Sequence, residues 1–214
     1  TIIYPILSGL LFGSVGVIGM MTPLRLMPGI IFDGRSIVLS IAGFFRGPIP
    51  GCIAGVICAA YRAWLGGAGA IMGVSVITES VGVGILFHYL RRKHPVLEHP
   101  LSLLGFGFLV HVIMVALSAT IQGGASREVF QIIVFPVLTI YPAATLLVCL
   151  LFLDQEARLK AEKALQESEQ NYREIFNSIN EAILIHDSAT GRILDVNEPM
   201  LRMFGYSSKI EMIN

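Results

Sequence analysis

The sequence predicts an all-α polytopic membrane bundle of five to six transmembrane segments, one of them a short broken hairpin. A coiled-coil-like helix and a truncated α+β domain follow it. Three observations carry this. The 214 residues are 54% hydrophobic and only 14% charged, too apolar for an ordinary soluble domain. Charge divides unevenly, with eight Lys/Arg and four Asp/Glu in residues 1–153 against seven and eleven in residues 154–214. Long apolar runs fill the first of these regions.

Those runs are residues 1–21, 36–46, 48–62, 67–90, 101–121 and 129–153. A bilayer crossing takes ~20 residues, so the first and the last three are long enough. The second and third are short and are divided by RGPIPG at 46–51, where Pro48 and Pro50 each remove a backbone donor. They read as a tight helical hairpin or a broken helix, and broken backbone at membrane depth must line a cavity or be covered by protein. The basic run RRKH at 91–94 and the charged tail beyond 153 are both assigned to the cytoplasm. With two separate short segments, Arg35 and Arg62 then lie at the outer face and Arg46 at the inner turn. A single bent span would instead move Arg35 to the cytoplasmic side. Cys52, Cys58 and Cys149 sit in apolar runs without metal-ligand or disulfide spacing and read as packing residues.

Residues 154–179, DQEARLKAEKALQESEQNYREIFNSI, are free of Gly and Pro and rich in helix formers and read as one helix, of which 154–172 is the signalling helix. Leu165, Tyr172 and Ile179 fall on a weak heptad seam, which predicts a dimeric helix carrying motion out of the membrane; a solvated linker helix is the plainer alternative. Asp154 with Arg158 and Glu156 with Lys160 are i,i+4 pairs in the favourable order.

Residues 173–214 complete the chain, with AILIHD reading as a strand, SATG as a turn, RILDVN as a second strand and a short helix after it. The YREIFNSINEAI entry, the GRILDVN strand with Asn197, and MFGYS at 203–207 resemble the start of a PAS domain. The resemblance implies a longer antiparallel sheet and an incomplete pocket, so no PAS ligand is assigned. The chain begins at Thr1 without Met and ends within this pattern, which predicts a fragment of a longer protein.

The blocks DGRSIVLSIAGFFRGPIPG and YRAWLGGAGAIMG, within residues 33–73, resemble the LytS/YhcK-type membrane receptors, the five-transmembrane receptors of the LYT type. The resemblance covers most of residues 1–153. It implies a bacterial inner-membrane sensor that feeds a cytoplasmic histidine kinase of a two-component phosphorelay, or a diguanylate cyclase, with links to cell-wall organisation and carboxylate responses. A response regulator would then be the downstream partner.

The candidate ligand site is built on Arg35 and Arg62, because two guanidiniums at one level hold a small carboxylate by paired hydrogen bonds. Gly66, Gly67 and Gly69, in the GGAGA run, let backbone approach a ligand, and Ser75 and Thr78 add hydroxyls further down. The competing reading has Asp33 neutralising Arg35, Arg62 snorkelling beside Trp64, and the glycines packing helices. Glu79 in mid-span costs ~2.5–3.5 kcal/mol unless paired or neutral, and His111, at a matching depth of ~14 Å, is its expected partner.

No phosphate-binding loop, metal cluster, nucleophile triad or basic nucleic-acid stripe is present in the sequence. The residues therefore predict no catalytic group, no metal and no cofactor in this fragment. Partners are expected to be membrane lipid, a second copy of the chain and a small carboxylate, with no nucleic acid. The alternative function is the substrate-binding membrane component of a vitamin-type transporter, which has no evident use for a helical output. A plain membrane anchor is a third reading, under which the outer arginines would not matter.

Overall fold

The computed structural model describes residues 2–22, 24–27, 30–67, 69–118 and 126–213, with backbone alone at 24–27, 30–32, 126–133 and 213. Ala68 of the GGAGA run and the far end of the fifth expected span, 119–121, lie outside the described residues. The chain divides into two compact units, residues 1–154 and 155–214.

The first unit runs α1 (Ile3–Met21), a hairpin of β1 (Leu24–Met27) and β2 (Ile30–Phe32), α2 (Arg35–Ile41), a π-helical turn (Ala42–Arg46), α3 (Pro48–Leu65), α4 (Ala70–Lys93), a 3₁₀ turn (Pro95–Glu98), α5 (Pro100–Ser118) and α6 (Ser126–Ser178). Among the described residues five helices are long and apolar enough to cross a membrane: α1, α3, α4, α5 and the apolar part of α6. The remaining expected segment, 36–46, is the twelve-residue piece formed by α2 and the π turn. The β1–β2 hairpin was not legible in the sequence, which reads 22–35 as connecting loop.

The break between the short segments has a local cause. Gly47 takes φ 83°, a left-handed conformation that reverses the chain, and Pro48 occupies the first turn of α3, where a missing N–H costs nothing. Pro48 also leaves the Phe44 carbonyl without its usual donor four residues on. His88 of α4 supplies one, its Nδ1–H donating to Phe44 O at 2.8 Å. The two segments are thus separate, and Arg35 and Arg62 stand at the same end of the bundle.

Small residues set the helix spacing. A Cβ built at Gly9 would lie 2.8 Å from Ile53 Cβ, at Gly13 2.8 Å from Ile57 Cδ1 and at Gly16 2.5 Å from Cys58 Sγ, so α1 lies close against α3 and parallel to it. Behind them Ile41, Phe44, Phe45, Leu103, Phe106 and Val110 form one buried cluster, and Met20, Leu39, Ala54, Cys58, Ile77 and Val81 another. Outward faces carry exposed Leu7, Val56, Ile71, Leu86 and Phe108, the apolar exterior that a bilayer requires. This is a multi-pass membrane protein.

In the second unit α6 continues as one helix to Ser178, through the Gly- and Pro-free stretch 154–179 that the sequence reads as helical. β3 (Leu184–His186) and β4 (Ile193–Val196) pair antiparallel, with Leu184 opposite Val196. Asp187 Oδ1 accepts the N–H groups of Ala189 and Thr190 at 2.8 and 2.9 Å, which fixes the turn and holds this carboxyl below its ordinary range. Helices α7 (Glu198–Phe204) and α8 (Lys209–Ile213) follow. Asn197 is fully buried and caps α7 through the Met200 N–H; its Oδ1 also accepts from Ile183 N, and its Nδ2 donates to the carbonyls of Phe176 and Glu181. One amide thereby joins the end of α6 to the sheet. Leu165 and Tyr172 are exposed on α6 and Ile179 is exposed just beyond its end, and Tyr172 stacks on Phe176 with ring centroids 5.3 Å apart.

Candidate ligand site

Arg35 opens α2 and Arg62 lies in the last turn of α3, and both are buried, at 7% and 2% exposure. Asp33 sits between the chain entry and these two charges. Its Oδ1 accepts the Arg35 N–H at 3.0 Å, and its Oδ2 takes Arg35 Nη1 at 3.2 Å. Burial raises the pKa of this carboxyl above the ordinary carboxylate value, against the opposing pull of the Arg35 and Arg62 charges.

Arg62 Nη1 donates to Gly66 O at 2.6 Å. That carbonyl is turned back toward α3 because Gly66 and Gly67 take φ 63° and 86°, values that L side chains rarely adopt, which accounts for two successive glycines. The stem of Arg62 lies across Gly73 of α4, where a Cβ would stand 2.5 Å from Nε and 3.0 Å from Cγ. Gly69 is buried one helical turn before Gly73. The expected arginine pair and the expected glycines are therefore brought to one place, and Gly73 is a member that the sequence reading missed.

Ser75 and Thr78 are not. Each hydroxyl donates to its own helix four residues back, Ser75 to Ile71 O and Thr78 to Val74 O, both at 2.9 Å. At 100° per residue they fall away from the Gly69–Gly73 face, and Thr78 is exposed. The expected Glu79–His111 contact is also not formed. Glu79 Oε2 accepts from Ser80 Oγ at 3.2 Å, and Oε1 is buried without a hydrogen-bond partner. His111 donates from Nδ1 to Gly107 O at 2.7 Å, and its Nε2 is hydrogen-bonded with Ser36 Oγ at 3.2 Å. Equal depth does not fix azimuth: Ser80, Ile77 and Val76 hold the inward face of α4, and Glu79 lies one residue off it.

The His111 ring stacks on Tyr141 of α6, centroids 5.2 Å apart, and the Tyr141 hydroxyl donates to Asp33 O at 3.4 Å. Ser36 and Tyr141 extend the polar end onto α5 and α6. Tyr141 had one legible signal, a phenol in an apolar run that needs a partner. Among the described residues no three His, Cys, Asp or Glu side chains cluster as a metal site would require.

Membrane-crossing helices that bury a cationic end, joined through one continuous helix to a small α/β unit, define the sensory input region of a membrane signalling receptor. Residues 1–155 match the family described as 5TMR of 5TMR-LYT, and the chain belongs to that family. Residues 170–214 match a PAS domain. No curated protein and no solved structure matches the chain.

Proposed function

We propose that the chain detects a small extracytoplasmic monocarboxylate between Arg35 and Arg62 and relays it along α6 to a sensor histidine kinase, or a diguanylate cyclase, in the cytoplasm. The observation that carries this reading is the convergence of two buried guanidiniums, Arg35 and Arg62, at one end of the bundle, with the Asp33 carboxylate on Arg35. Asp33 occupies Arg35 until the acid arrives. The relay is supported by Tyr141, since the helix that touches Asp33 is the same one that continues to Ser178. Leu165, Tyr172 and Ile179, apolar and exposed, form the seam for a parallel homodimer in a bacterial inner membrane. A response regulator and cell-wall control belong to the same reading, downstream of the output domain.

The test is a titration of short 2-oxo and hydroxy acids into purified protein in nanodiscs. Asp33→Asn keeps the oxygen that accepts the Arg35 N–H but removes the competing charge. At ~10 Å and an effective dielectric of ~20 that charge is worth about 1.5 kcal/mol, so the variant is expected to bind roughly tenfold more tightly. Lowering the pH does the same to wild type: as Asp33 protonates through its raised pKa, binding strengthens, while Asp33→Asn shows no such rise. Absence of binding by every acid to either protein would remove the carboxylate and leave membrane state as the stimulus.

A further inference from the structure

A cavity of about 400 Å³ opens at the end of the bundle opposite the Arg35–Arg62 pair. It lies where α1 and α3 begin and α4 ends, and its polar wall is Arg46, His88, Arg91 and Arg92. Arg91 is held in place, its Nη1 3.5 Å from Glu98 Oε1 and its guanidinium 4.9 Å from the Phe45 ring centroid. Arg46 and Arg92 make no ion pair among the described residues. Three guanidiniums surround a concave space, and the first turn of the eighteen-residue α3 adds the positive end of a helix dipole.

Guanidinium forks match phosphate oxygens. The rest of the wall decides which phosphate. Tyr4 and Ile49 border the cavity and are 76% and 50% exposed, and outward from them run the exposed apolar faces of α1 and α3, Leu7 and Val56 among them. A soluble anion has no use for that flank, whereas an acyl chain leaving the cavity sideways lies along it. We propose that this cavity holds the headgroup of an anionic phospholipid from the adjacent leaflet, its phosphate taken by Arg46 and Arg92 with Arg91 behind them. Arg46 closes the same twelve-residue segment that Arg35 opens, so the lipid would anchor the far end of the piece that carries the carboxylate site.

The test is native mass spectrometry of the purified chain with phosphatidylglycerol or phosphatidylcholine added, and with glycerol phosphate as a soluble competitor. Wild type is expected to retain one phosphatidylglycerol in preference to phosphatidylcholine. Arg46→Gln/Arg92→Gln should lower that retention by about thirtyfold. Arg46→Lys/Arg92→Lys, which keeps the charges and loses the forks, should fall between, and it guards against a Gln variant that fails to fold. Lys160→Gln, on the exposed helix, should behave as wild type. Unchanged retention in both arginine variants would overturn the site. Displacement of the lipid by millimolar glycerol phosphate would overturn the lipid and make the ligand a soluble phosphate.

Discussion

Arg35→Lys and Arg62→Lys are each expected to weaken the proposed carboxylate binding by about 10- to 150-fold, corresponding to roughly 1.5–3 kcal/mol for a hydrogen bond to a charged group. Charge is conserved in both variants, so the loss measures the fork. A guanidinium presents parallel N–H groups in a fixed plane, and an ammonium on a flexible stem does not. The two positions differ in what else they disturb. Arg35 is gripped by Asp33 within its own turn, whereas Arg62 is aimed by the Gly66 carbonyl and lies in the groove over Gly73. A lysine in place of Arg62 would lose that aim as well, so the second substitution should have the larger effect. Calorimetric titration in nanodiscs measures both, and equal affinity in wild type and the two variants would reduce the arginines to anchors.

Gly84→Val lowers the stability of the membrane unit by about 3 kcal/mol, the upper end for overpacking. Gly84 and Gly43 form the closest crossing of α4 with the short segment: a Cβ at Gly84 would fall onto the Ser40 carbonyl oxygen, and one at Gly43 would stand 2.9 Å from Ile85 N. Backbone meets backbone there, so no side chain can swing aside. The segment would have to lift away, carrying Arg35 with it, and acid binding should be lost together with stability. Gly82→Ala is the control, since its Cβ meets nothing within 4 Å and Ala is the better helix former. Thermal unfolding in detergent should show a lowered midpoint for the first and an unchanged or raised one for the second. Similar losses in both would contradict the close crossing.

Apolar length and the Pro48–Pro50 signal made the spans and the short hairpin legible, because both follow from backbone hydrogen bonding in lipid. That Arg35, Arg62 and the glycines lie at one end of the bundle was legible because the hairpin fixes their level along the chain's path. Azimuth was not. Depth placed Glu79 beside His111, yet α4 turns Ser80 inward, and His111 pairs with Ser36, a residue that carries no sequence signal beyond adjacency to Arg35. Gly73 was hidden for a related reason: it matters for the Arg62 stem that lies across it, a contact between two helices that no spacing reveals. Asp33 was legible as a neighbour of Arg35, the guanidinium it holds.

The central claim is that a carboxylate draws the Arg35 and Arg62 ends together and that this closure is the signal, since a ligand drives a switch only through unequal affinity for two conformations. Its most direct test places spin labels at positions 34 and 63, both exposed, in a background without Cys52, Cys58 and Cys149, and measures their separation by electron–electron resonance in nanodiscs. The separation should shorten when the acid is added, and the Arg62→Lys protein should show no change at the same concentration. A separation that stays constant while the acid is bound would contradict the account.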